Sequence, residues 1–198
     1  NALLSNGIYE VEIKSLKAEK ASKTTQINEI KYRFYVPDVI NGYMLPIEPD
    51  EKVNNSTLLG IDSNDNGVRD DVEIFIINKY KDNHKIVTEI GFQGARAYQM
   101  IVENPLNTVE NHKALHDAMD CAHYFKFSAK YAGLGDSVLI DHHIDEKYHS
   151  LQLNTKSRVK AYLEYDKELS GGVYTATPLG KEERNNCSFD VNILLGAE

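Results

Sequence analysis

The sequence contains no tryptophan, only two cysteines, and more acid than base: 22 Lys and Arg stand against 30 Asp and Glu, for a formal net charge of −8. An acidic chain without a basic cluster is poorly suited to nucleic acid or an anionic membrane surface, and reasonably suited to cations. No apolar run approaches the roughly eighteen residues that a membrane-spanning helix needs. The opening residues, NALLSNG, lack a charged region followed by an apolar stretch, so no signal peptide is expected within the sequence. No GxSxG, Walker or GxGxxG motif occurs. The GLGD at 133–136 is too short to cradle phosphate and reads as a turn between helices.

What the chain does have is an ordinary globular composition: 198 residues, 41% apolar and 26% charged. That is enough for one substantial core or two small ones. Residues 7–16 alternate, with Tyr9, Val11 and Ile13 on one face and Glu10, Glu12 and Lys14 on the other. Residues 27–36 alternate likewise, with Ile30, Tyr32, Phe34 and Val36 together. Period two with β-branched and aromatic residues predicts two strands. The polar stretch between them reads as a hairpin loop. A lone hairpin is marginally stable, so it is expected to lie on something else.

Pro37, the NGY at 41–43 and the polar LPIEPDEKVNNS mark an irregular connection to about residue 57. The period then becomes helical. Val72, Phe75, Ile76 and Tyr80 form one stripe, and Ile86, Ile90, Ala97, Tyr98, Ile101 and Val102 another. Asn107 and Glu110 predict a capping box, opening a helix striped by Leu115, Ala118, Met119, Ala122 and Phe125. A shorter helix is expected near 137–149. A further one begins at Asn154 or Thr155, buries Val159, Tyr162 and Leu163, and ends at SGG, where Gly171 or Gly172 takes a left-handed conformation. The tail is mixed.

The most informative stretch is DSNDNGVRDDVE, residues 62–73. Counting from Asp62, side-chain oxygens fall at places one (Asp62), three (Asn64), five (Asn66), nine (Asp70) and twelve (Glu73). Gly67 is at place six. Val68 at place seven would use its backbone carbonyl. Alternate residues point inward, the glycine allows a sharp turn, and the last glutamate grips with both oxygens. This is how a short loop surrounds a hard seven-coordinate cation. Glu73 also opens the next helix, where a carboxylate suits the dipole. Asp65 and Asp71 fall outside the ligand set and add negative field. The rival reading is a solvated acidic turn capping a helix.

This stretch resembles the EF-hand loop, and more closely the thrombospondin type 3-like loops of bacterial secreted proteins. The resemblance covers about 20 residues and implies calcium binding only. It departs from a paired EF-hand in two respects. Place eight is Arg69 rather than an aliphatic residue that bridges two loops, and no amphipathic helix precedes Asp62. A sensor that opens a helix pair is therefore not expected. A lone loop most often fixes a linker to a domain.

Calcium binding favours an oxidising compartment, and with it pairing of Cys121 with Cys187. Such a bridge closes a loop of about 65 residues, for which the chain-entropy account gives roughly 4 kcal/mol. Cys121 is a poor nucleophile, because Asp117 and Asp120 make its surroundings acidic.

His112, His116 and His123 fall within about 40° of one another at 100° per residue on a helix. His142, Glu146 and His149 share a face in the same way. Were the two helices to meet, they could assemble a transition-metal site. The first group, however, lies roughly 100° from the middle of the apolar stripe, at the polar margin, and neither group has the HExxH order. Twelve tyrosines offer an amphipathic packing or binding surface, although Tyr9, Tyr32, Tyr98 and Tyr162 also fit core stripes.

The expectation is an α+β chain, mostly α. An N-terminal β-hairpin with its irregular connection (1–57) precedes a helical domain (58–198) of about five helices with a mixed tail. A calcium loop joins them. The function expected is that of a secreted or periplasmic calcium-binding protein in a structural or interaction role, without catalysis. The alternative is a metal-dependent hydrolase using the clusters at 112–123 and 141–149.

Overall fold

The structure, a computed structural model, describes residues 7–13, 16–20, 23–27, 30–127, 134, 146–172 and 177–196. It is α+β and mostly helical, and it divides into two compact units, residues 1–45 and 46–198.

The first unit is built on a hairpin. Strand β1 (Gly7–Ile13) pairs antiparallel with β4 (Ile30–Val36), and β2 (Leu16–Lys20) pairs with β3 (Lys23–Ile27). Both ladders keep one register, from Gly7 opposite Val36 to Lys20 opposite Lys23. The segment expected as a loop is therefore itself paired. The faces are those the alternation predicts: Tyr9 opposes Phe34, with ring centroids 5.6 Å apart, and Val11 opposes Tyr32. On the other face, Arg33 donates to Glu10 at 2.9 Å, and Lys31 approaches Glu12 at 3.4 Å. Opposite charges across a strand pair suit an exposed face.

The expected irregular connection contains a second hairpin. Strands β5 (Val39–Ile40) and β6 (Tyr43–Met44) flank Asn41 and Gly42, both at positive φ (50° and 82°). Asn-Gly with two left-handed residues is the type I′ turn, whose twist matches that of the strands.

The second unit contains eight described helices where about five were expected. They are α1 (Glu51–Asn54), α2 (Asp70–Lys79), α3 (Lys85–Glu103), α4 (Thr108–Phe127), α5 (Glu146–Gln152), α6 (Lys156–Leu169), α7 (Lys181–Asn185) and α8 (Val191–Leu195). The extra ones are single turns in the polar connection and the tail. Of the helix expected at 137–149, residues 137–145 lie outside the described residues, as does the GLGD turn apart from Leu134.

Helix α3 is the centre of this unit. It packs against α2, α4, α5, α6 and α8. Its predicted stripe, Ile86, Ile90, Ala97, Tyr98, Ile101 and Val102, is wholly buried. Each large aliphatic side chain so buried contributes about 1.5–3 kcal/mol. The stripe of α2 is also buried at Val72, Ile76 and Tyr80. Tyr148 of α5 is fully buried and donates its hydroxyl to the Gly91 carbonyl at 2.9 Å.

Three helical side chains expected in the core are exposed, Met119 (40%), Val159 (39%) and Leu163 (59%), and so is Tyr32 (55%) on the hairpin. On α6 the buried face is instead Arg158, Ala161 and Tyr165. The helix ends as expected, with Gly171 at φ 92°.

Cys121 and Cys187 form a disulfide with Cα atoms 4.9 Å apart, within the range such bridges require. The bridge ties the tail to α4. Around it, Gln93 donates to the Asn186 carbonyl at 2.7 Å and accepts from the Ser188 N–H at 3.0 Å. Asn186 donates to Asp120 at 2.8 Å.

Candidate metal centre

The segment before Asp62 is polar and has no apolar stripe, yet it is held firmly. Asp50 caps α1 by accepting from the Val53 N–H at 3.0 Å. The buried Asn54 accepts from the Ile61 N–H at 2.9 Å. The fully buried Arg158 then collects the segment's carbonyls. Its Nε donates to Leu58 O at 2.9 Å, and its Nη2 to Asn54 O at 2.9 Å and Thr57 O at 3.3 Å. Its Nη1 bonds Asn55 Oδ1 at 2.9 Å and also Asn154 Oδ1. Burial, then the like charge of Arg69, lowers the Arg158 pKa to about 10; Asp71 opposes this.

The loop 62–73 closes on itself through Asp70 N–H to Ile61 O at 2.8 Å. Asp62 accepts from the Gly67 N–H at 2.8 Å and the Asn66 N–H at 3.2 Å. Asn64 Oδ1 also accepts from the Asn66 N–H at 3.2 Å, and Asn66 Oδ1 from the Val68 N–H at 2.8 Å. Such side-chain-to-backbone bonds curl a chain inward. The tight path needs left-handed residues, and they are Asp65 (φ 55°) and Gly67 (φ 80°).

Glu73 reaches back from the first turn of α2. Its carboxylate accepts from Asn66 Nδ2 at 2.9 Å and Asn64 Nδ2 at 3.2 Å. Asp62, Asn64, Asn66 and Glu73 are thus brought together. Asp70 is buried beside them, with Oδ1 accepting from the Ser63 N–H at 2.9 Å. The Val68 side chain is buried and its N–H is bonded, so its carbonyl is the group it can offer an ion.

Glu73 is only 4% exposed and Asp70 only 1%. Burial raises the Glu73 pKa. The carboxamide bonds from Asn66 and Asn64 act against this, and the negative charges of Asp70 and Asp62 reinforce it. The loop's own base, Arg69, is engaged elsewhere. Arg69 Nε lies 2.5 Å from Asp71 Oδ1, and Nη2 donates to Asp71 Oδ2 at 3.2 Å. The same guanidinium donates to the last carbonyls of α5, Leu151 O at 2.6 Å and Gln152 O at 3.5 Å. Asp71 is therefore neutralised rather than adding field to the loop.

Among the described residues the histidine groups do not converge. On α4, His116 Nδ1 is 3.1 Å from Asp120, and His123 Nδ1 is 2.5 Å from Glu183 of α7. The rings of His112 and His116 lie 5.9 Å apart, and burial, then His116, lowers the His112 pKa. His149 instead sits edge-on to Tyr98 and Tyr162, at 5.7 and 5.9 Å. Asp141 and His142 lie outside the described residues. Among the described residues no three His, Cys, Asp or Glu side chains form a ready-made metal cluster. The loop's converging set is mixed, with two carboxamides beside Asp62 and Glu73.

Arg158 and Asn54, which hold the loop's entry, were not visible in the sequence. A basic residue on a helix reads as solvated, and nothing local marks this one as buried. Comparison with family models, with curated proteins and with solved structures gives no significant match to the chain.

Proposed function

We propose that the chain is a secreted or periplasmic calcium-binding protein in which one ion, held by the loop 62–73, has a structural or interaction role rather than a catalytic one. Asp62, Asn64, Asn66, Asp70, Glu73 and the Val68 carbonyl would hold it.

The observation that carries this reading is the state of Glu73. A solvated acidic turn leaves its carboxylates in water. Here a carboxylate is buried, bonded by two neutral carboxamides, and repelled by two further acids, with no base paired to it among the described residues. Burying an unpaired charge is costly. A divalent cation removes that cost, and carboxamide nitrogens compete weakly with it. Carboxylate and carboxamide oxygens suit a hard ion such as calcium. The disulfide is consistent with an oxidising compartment.

The test is calorimetric titration of calcium into the chain and into Glu73→Gln. The expected affinity is modest, on the order of 10⁻⁴ M, because two of the side-chain ligands are neutral. Heat at millimolar calcium that disappears in the variant supports the reading. No binding at millimolar calcium refutes it.

A further inference from the structure

A cleft of about 350 Å³ lies between α3, α4 and the tail, lined by Arg96, Ala97, Met100, Ala114, Cys187 and Ser188 among others. Its size is at the lower end for small-molecule sites. Most polar groups around it are already satisfied. Gln93 is bonded at both ends to the tail backbone, and Lys113 is paired with Asp117 one turn along α4.

Arg96 is the charged exception. It is half-buried, and among the described residues its guanidinium makes no hydrogen bond or ion pair, its electrostatic neighbour being the Tyr148 hydroxyl. Its stem lies beside Gly67, with Cγ and Cδ 3.4 Å from where a Cβ on that residue would sit. A half-buried guanidinium normally finds acceptors, since its five donors are costly to leave unmet.

We propose that this cleft binds a small organic monocarboxylate, with Arg96 pairing the carboxylate and Ala97, Met100, Ala114 and the disulfide taking the aliphatic part. The charge count favours one negative charge. Lys113 and Asp117 cancel, leaving Arg96 alone. Its planar fork matches a carboxylate through two parallel hydrogen bonds. The apolar floor favours a short carbon chain over a bare inorganic anion.

The test is a titration followed by backbone amide NMR, in calcium-containing buffer, with hexanoate, inorganic phosphate and hexylamine as probes. Hexanoate should give saturable shifts at Ala97, Ala114 and Ser188, and hexylamine none. Arg96→Met should weaken hexanoate by about tenfold or more, the loss expected for one charge-assisted pair. Ala114→Leu, which fills the cleft from α4 and leaves Arg96 in place, should abolish the shifts and decides the matter if the first variant does not fold. Absence of saturation, equal affinity for phosphate or hexylamine, or unchanged hexanoate binding in a folded variant would overturn the proposal.

Discussion

Gly60 is the residue at which a single methyl group should do the most damage. It has φ 76°, and an added Cβ would lie 2.2 Å from Arg69 Cδ, 2.7 Å from Asn54 Oδ1 and 2.9 Å from Arg158 Nη2. None of these atoms can retreat cheaply. Arg69 is held at its far end by Asp71 and Leu151, Asn54 by the Ile61 N–H, and Arg158 by the carbonyls of 54–58. Left-handed strain in Gly60→Ala costs about 1–2 kcal/mol. Displacing one charge-assisted hydrogen bond adds about 1.5–3 kcal/mol. The sum, about 2.5–5 kcal/mol, is a large share of a typical domain's stability. Gly171→Ala isolates the clash. Gly171 has φ 92° with nothing within 4 Å of a Cβ, so this variant suffers only the backbone term, about 1–2 kcal/mol. Urea unfolding of both variants gives the comparison. If Gly60→Ala costs no more than Gly171→Ala at unchanged slope, the two arginines do not pack around Gly60 and the account of the loop's entry is wrong.

If calcium binds as proposed, it stabilises the fold by roughly 1.4 kcal/mol at ten times Kd. Melts with and without chelator should then differ for the parent chain and coincide for Glu73→Gln; coincident melts for the parent would remove the structural role. The denatured, unreduced chain should show no reactive thiol, and replacing Cys121 and Cys187 by Ala should cost about 2–4 kcal/mol in unfolding experiments. Alkaline titration should be incomplete in the folded state. Burial raises the pKa of Tyr80 to about 12 and raises those of Tyr98 and Tyr148 well above the usual phenol value. A phenol whose pKa is raised by folding contributes stability that is fully present below its unfolded value near 10 and is lost as pH rises through the folded value. Phenolate absorbance should therefore show some of the twelve tyrosines ionising only as the chain unfolds above about pH 11; full ionisation in the folded chain by that pH would contradict their burial.

What could be read from the sequence was what repeats locally. Alternation at Tyr9, Val11, Tyr32 and Phe34 identified a face because a strand's period holds wherever the strand lies. The α3 stripe was legible for the same reason, since one helix buried along its length carries the full 3.6-residue signal. The Asn41–Gly42 turn also carries a local signal, a two-residue hairpin turn between apolar pairs, inside the stretch that proline and polar residues mark as irregular. The phase of α6 was not. Its inward face is set by Arg158, whose partner Leu58 is 100 residues away, and no local pattern distinguishes a buried arginine from a solvated one. Counting Arg158 as exposed turned Val159 and Leu163 inward. The loop's donor types were legible from their spacing, whereas the burial of Asp70 and Glu73 depends on tertiary packing and was not.

Arg69 gives the loop its particular character. At place eight an aliphatic residue would serve to bridge a second loop, and none is present here. The arginine instead anchors the loop to the C-terminal carbonyls of α5, where a cation suits the helix dipole. Together Arg69 and Arg158 bring two buried guanidiniums to a junction where one carboxylate, Asp71, pairs with Arg69 and carbonyl and carboxamide oxygens serve Arg158. The positive charge is thus largely spent on one side of the loop, and the acids on the other side gain little from it. The forces on Glu73 are consistent with this division: burial, Asp70 and Asp62 raise its pKa, and no arginine offsets them. A structure that wanted only a stable turn would do better to pair Glu73 with one of these bases or to leave it in water. Separating acids from bases across twelve residues has a stability cost in the absence of an ion, and an ion that binds there acts directly on α2, through Glu73 in its first turn, and on the segment held by Arg158, through Asp62 beside Ile61.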